Sequence, residues 1–213
     1  MRPLYDGLAP PAPYRYVNPP PDLAEDNETP LRAVGTLLLG EEGSGARTVA
    51  TADGQALVVF ADGAVPPRNG EEEVSVRVTP FDTTPLPPGP GDLEITGNAY
   101  RVEAVYAGSN DAVELREPAT VVLRYPIHAT VMLGLSGSRW QRLESQVAEA
   151  SLQLFAETTQ LGTFASAGVP ATSRAWIAYA AAGGGVLAGV GGYLAGRRRT
   201  RRRPRRPRRR RPR

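Results

Sequence analysis

Between Trp176 and Ala195 the chain reads WIAYAAAGGGVLAGVGGYLA, twenty residues without a charge. Thirteen arginines follow from Arg197 to Arg213, interrupted only by Thr200, Pro204, Pro207 and Pro212. A helix of about 20 residues is about 30 Å long, which matches the hydrocarbon thickness of a bilayer. Residues 176–196 are therefore expected to form a single transmembrane helix, with 197–213 a polyarginine tail held on the cytoplasmic side.

The apolar drive of this segment comes from Ile177, Val186, Leu187, Val190 and Leu194. Together they contribute roughly −1.5 to −3 kcal/mol on an insertion scale. Trp176 and Tyr179 at one end and Tyr193 at the other are the expected membrane-interface residues, because amphipathic rings favour the head-group level. A Gly-rich linker and a buried soluble helix are the alternatives. Seven glycines lie within 176–196, and each costs roughly 1 kcal/mol relative to alanine in a soluble helix. Ala181, Gly185 and Gly189 recur at spacing four, as do Gly184, Ala188, Gly192 and Gly196. Small residues at that spacing let two helices approach closely, so a homodimer packed through Gly185 and Gly189 is a hypothesis here. Chance spacing in an Ala/Gly-rich chain is the alternative.

The net charge of +3 hides an asymmetry: thirteen of the 25 basic residues lie in the tail, and all 22 acidic residues precede it. The chain has neither lysine nor cysteine. That excludes disulfides, thiolate metal sites, cysteine nucleophiles, Walker phosphate loops and Schiff-base chemistry. Arg197, Arg198, Arg199, Arg201, Arg202 and Arg203 are the expected contacts to anionic lipid head groups, at about 1 kcal/mol each near the surface. Phosphates of a nucleic acid would meet the same residues in a salt-dependent way. With no aromatics interleaved, such binding would lack sequence specificity, and beside a membrane span the lipid bilayer is the expected partner rather than nucleic acid.

Positive residues on the cytoplasmic side place 1–175 outside the cell. MRPLYDGLAPPAPYRYV has no apolar core of signal-peptide length. Export then calls for a start upstream of Met1, a processed mature form, or a tail-anchored arrangement with the domain inside. The first is the expectation.

Residues 1–31 are proline-rich and are expected to be an extended arm rather than a helix. Two fates are open to it: a ligand for another protein's aromatic groove, or a strap over its own domain anchored by Tyr5, Tyr14, Tyr16 and Val17. The second is preferred, since aromatics are uncommon in disordered segments.

From residue 32 to 167 the patterns are those of strands. Ala33–Leu39 is a short apolar run. Thr48–Ala52 and Gln55–Phe60 flank Asp53-Gly54, a hairpin signal. Val74, Val76 and Val78 alternate with Ser75, Arg77 and Thr79, as on a half-buried strand. Pro85–Gly91 reads as a loop. Asp92–Ile95 and Ala99–Ala107 are expected to pair through a turn at Thr96-Gly97-Asn98, with Tyr100, Val102, Ala104 and Tyr106 on one face. Thr120–Tyr125, His128–Leu133, Ser151–Glu157 and Thr163–Ala167 complete the set, although Gln141–Gln160 also fits a helical period. Eight or so short strands with regular turns predict an all-β antiparallel sandwich. Residues 168–175 are the expected linker to the membrane.

No catalytic, cofactor or metal site is expected. His128 is the only histidine, and it opens a strand after Tyr125-Pro126, so its role is read as structural. Gly134-Leu135-Ser136-Gly137-Ser138 lacks the spacing of a nucleophile elbow. Glu71-Glu72-Glu73 reads as a solvated turn, with weak cation binding as the lesser alternative.

The runs ALVVFADGAVPP, VSVRVTPFD, GNAYRVEAVYAG, LREPATVVLRYP, SRWQRLES and LGTFASAG occur in this order, and the stretch that carries the likeness is roughly Gly54–Ser166. With Asp62-Gly63-Ala64-Val65-Pro66, Tyr125-Pro126, Trp140 and Gly162-Thr163-Phe164, that order resembles a ZU5-type β-sandwich. The resemblance implies a non-enzymatic domain used in protein contact and force-bearing assemblies. The spacing departs from that of the animal members, so their partners do not carry over. The chain is thus expected to be a membrane-anchored interaction or envelope-scaffolding protein with an unidentified protein partner. A protein acting on nucleic acid through its Arg tail is the alternative.

Overall fold

Val74, Val76 and Val78 are wholly buried while Glu73 and Arg77 face outward, as the period of two requires for a strand with one face on a core. This strand belongs to the computed structural model of the chain, which describes residues 12–170. In chain order the strands are β1 (Ala33–Gly40), β2 (Gly43–Ser44), β3 (Arg47–Ala50), β4 (Ala56–Phe60), β5 (Glu73–Phe81) and β6 (Glu94–Tyr106). They continue as β7 (Ala119–Arg124), β8 (Val131–Ser136), β9 (Arg139–Arg142), β10 (Ser145–Ala148), β11 (Gln153–Thr158) and β12 (Thr163–Gly168).

The strands form two antiparallel sheets, in the orders β2-β1-β5-β6-β12-β8-β9 and β10-β11-β7-β4-β3. One apolar cluster joins them. Leu37, Val76, Tyr100, Val102, Met132 and Phe164 enter it from the larger sheet, and Val49, Val58, Phe60, Val121, Leu123 and Leu154 from the smaller. Burial of each such side chain contributes about 1.5–3 kcal/mol. The described residues are therefore all-β, in a sandwich-like arrangement.

The Asp53-Gly54 hairpin joins β3 to β4, with Gly54 at a φ of 68°. Pro85–Gly91 is a loop that caps the outer face of the larger sheet. Trp140 is buried there with Leu93 and Leu133, and its indole Nε1–H donates to the Pro87 carbonyl at 2.7 Å.

Three expectations are corrected. Thr96-Gly97-Asn98 is not a hairpin turn: it lies within the single 13-residue strand β6. Opposite β12 the pairing passes from Ala99↔Ala165 to Thr96↔Ser166, leaving Gly97 and Asn98 over as a bulge. The Ser166 hydroxyl donates to the Thr96 carbonyl at 2.7 Å and fastens the strands beside it. The strand expected from His128 begins at Val131, because Pro126 and the turn after it delay pairing. Gln141–Gln160, which fits both periods, holds the end of β9, then β10 and β11 separated by one turn of 3-10 helix at Glu149–Ser151, so the strand expected over Ser151–Glu157 starts two residues later, at Gln153. Leu152 there adopts a φ of 53° and reverses the chain.

Candidate functional site

The residues that the sequence marks for the membrane (Trp176, Tyr179, Tyr193, Gly185, Gly189 and Arg197, Arg198, Arg199, Arg201, Arg202, Arg203) lie outside the described residues. Tyr5 lies outside them too. Among the described residues no group of three His, Cys, Asp or Glu side chains is placed to hold a metal, and no helix is long and apolar enough to cross a membrane. His128 is exposed in the loop before β8. Gly134–Ser138 forms the end of β8 and its turn into β9, with Gly137 at a φ of 59°. The Glu71 carboxylate accepts the N–H groups of Gly108 and Ser109 at 2.8 and 2.7 Å, so it serves as a loop anchor.

The concentration of buried polar chemistry lies elsewhere, where the proline-rich arm crosses one end of the sandwich. Gln55 follows the Asp53-Gly54 turn and Asn98 stands on the β6 bulge. Both are buried, as is Tyr100. Gln55 brackets Arg15 of the arm: the Arg15 N–H donates to Gln55 Oε1 at 2.5 Å, and Gln55 Nε2 donates to the Arg15 carbonyl at 3.0 Å. Asn98 Nδ2 donates to the same carbonyl at 2.8 Å, and Asn98 Oδ1 accepts the Val17 N–H at 2.8 Å. The Asn98 N–H donates to the Tyr14 hydroxyl at 3.0 Å. Tyr100 Oη accepts from both amides, at 2.7 Å from Gln55 and 3.3 Å from Asn98.

Two buried carboxamides therefore read the main chain of a short extended segment, much as a neighbouring strand would. The bulge makes this possible. Gly97 has a φ of 76°, and a Cβ there would lie 2.5 Å from Tyr14 Oη and 2.9 Å from Pro126 Cδ. Only glycine allows both the turn of the backbone and the approach of the phenol.

The connector holds the arm in place. Asn27 accepts the Tyr16 N–H and donates back to the Tyr16 carbonyl, and Glu28 pairs with Arg15. Asp53 accepts the Leu31 N–H at 2.7 Å, and Arg124 donates to the Ala12 carbonyl at 2.6 Å. Burial pushes the Tyr14 phenol well above its ordinary pKa, with the nearby Tyr100 phenol adding to the effect. Burial likewise raises Tyr100 and Tyr16. No buried side-chain nitrogen or oxygen among the described residues lacks a hydrogen bond, so the arm's backbone completes the polar complement of this end.

At the resemblance motif, Gly63 takes a φ of 70° and its carbonyl accepts from Arg116 Nε at 3.1 Å. Arg116 also donates to the Glu42 carbonyl at 2.7 Å, while Ala64 and Val65 are wholly buried. These residues tie the β1–β2 corner to the segment before β7. An open cleft beside β6 is lined by Arg101, Glu103, Glu114, Gln160 and Thr163 among others. Its lining contains no histidine. Comparison with protein-family models and with curated proteins finds no match.

Gln55 and Asn98 carry no binding signature in the sequence, because Asp-Gly and Gly-Asn announce turns there. The available signal was an amide beside each turn, directly before a run of residues that becomes buried.

Proposed function

We infer that the chain is a non-enzymatic β-sandwich held at a membrane by 176–196, with its body outside the cell, used for protein interaction or envelope scaffolding. The observation that carries this reading is the route by which the chain leaves the body. Its last described strand, β12, lies between β6 and β8, and all six of its residues are buried. The uncharged segment begins at Trp176, eight residues beyond Gly168. A pull on such a tether loads an interior strand in shear across ladders on both sides, which suits a part that bears force. The order of the ZU5-like motifs supports the same class of role, and the polyarginine tail supports contact with anionic head groups.

Protease accessibility on intact cells or spheroplasts, with a tag at each end, tests the reading. The body is expected to be cut from outside while the Arg tail is protected and sediments with membranes. Protection of both ends places the body inside and overturns display. A soluble chain overturns the anchor and transfers the tail to nucleic-acid phosphates, read as salt-sensitive retention on DNA.

A further inference from the structure

The arm is a non-covalent ligand of the body it is joined to. Its recognition runs through main-chain groups of Arg15 and Val17 and the Tyr14 hydroxyl, all met by Gln55 and Asn98, whose amides the Tyr100 hydroxyl braces from behind. These contacts do not require that the arm and the body belong to one molecule. Between Val17 and Ala33 lie fifteen residues, among them Pro19-Pro20-Pro21, and most of them are exposed. An extended chain of that length reaches about 50 Å. An empty cleft would exchange these bonds for bonds to water, whereas an equivalent segment restores all of them. The segment that fits by construction is the same arm from another copy.

We propose that the Gln55–Asn98–Tyr100 cleft accepts residues 14–17 of a second copy, so that neighbouring chains are linked arm to body. Cis and trans docking make the same bonds to Gln55 and Asn98, cis docking adds the connector's contacts from Asn27, Glu28 and Leu31, and the balance follows the density of chains against the effective concentration set by the connector, about millimolar for a short flexible link. Exchange of an identical element is a low-cost route to association, and confinement to a membrane raises chain density. The inference gives the interaction reading above a partner; its failure would leave the anchor and the tag-accessibility result untouched.

Asn18 and Thr84 are exposed and joined by a hydrogen bond of 3.0 Å at the rim of the cleft. The chain has no native cysteine, so single thiols can be placed there without background. Full-length Asn18→Cys and Thr84→Cys chains, differently tagged, are mixed and reconstituted at several densities, then treated with a short bismaleimide. Exchange predicts a mixed dimer whose yield rises several-fold with density. A chain carrying both substitutions closes on itself at low density. Asn18→Cys mixed with Ser138→Cys, an exposed turn position, is expected to stay at background. The proposal is overturned if the mixed dimer is missing at every density while the double variant closes. It is equally overturned if the Ser138→Cys control links as well, or if the double variant does not close.

Discussion

Asn98 takes part in four hydrogen bonds, three to the arm and one to Tyr100, from a position that is 3% exposed. A buried group left without a partner costs about 1–3 kcal/mol, more than the bond itself contributes. Asn98→Ala removes the side-chain partner of the Val17 N–H and one partner each of the Arg15 carbonyl and the Tyr100 hydroxyl. We expect a loss of about 2–4 kcal/mol in urea unfolding at an unchanged slope. Asn18→Ala removes only an exposed bond and is expected to stay within about 0.5 kcal/mol. Equal effects would refute the view that burial makes this amide matter. Asn98 and Gln55 were not legible as binding residues. An amide after a glycine is a turn signal in one dimension, and its burial depends on what crosses it in three.

The arm shows what proline and tyrosine together can specify at the scale of an element. Prolines keep the backbone extended with its hydrogen-bonding groups free, and tyrosines give it apolar bodies with polar tips. That much was legible for residues 12–17, where Tyr14, Tyr16 and Val17 contact the body or its connector; over 21–26 the arm expected to be extended turns instead, with the Leu23 N–H donating to the Pro20 carbonyl at 2.9 Å. The arm also carries a pH dependence. The Tyr14 and Tyr100 phenols are raised by burial, so the folded state favours their protonated forms. The stability linked to them is fully present below the unfolded value of about 10 and is lost as pH rises through the raised folded values. Ultraviolet titration of the eight tyrosines is expected to leave Tyr14 and Tyr100 protonated until the chain unfolds. Ionisation of all eight together near pH 10 in folded protein would show that the arm is not docked. Strand β6 carries the opposite lesson. Gly97-Asn98 reads as a hairpin turn, yet both flanking runs belong to one strand. The ladder to β12 continues past the two extra residues, and a bulge and a turn share the same glycine chemistry.

At the scale of the whole molecule, the two sheets share one core, so unfolding is expected to be a single transition. Phe60 is wholly buried in that core, whereas Leu38 on β1 is 69% exposed. Phe60→Ala is expected to cost about 3–5 kcal/mol through lost contacts and a residual cavity, and Leu38→Ala less than about 0.5 kcal/mol. Calorimetry of both variants checks this; two separate transitions would mean that the sheets do not share a core. Several features could be read from residues close together in the chain: the all-β class, the alternation in β5 and β6, the Asp53-Gly54 hairpin, and the segregation of the arginines behind an uncharged segment. Each is a property of local spacing, which sets the face a side chain occupies before any partner is chosen. The tertiary structure alone decided that β1 lies beside β5, that β12 sits between β6 and β8, and that an arm is read by Gln55 and Asn98, 40 to 84 positions away along the chain. Strand order depends on which faces close on one core, and a buried amide takes the backbone group that packing brings to it. Neither choice is written in the spacing of neighbours.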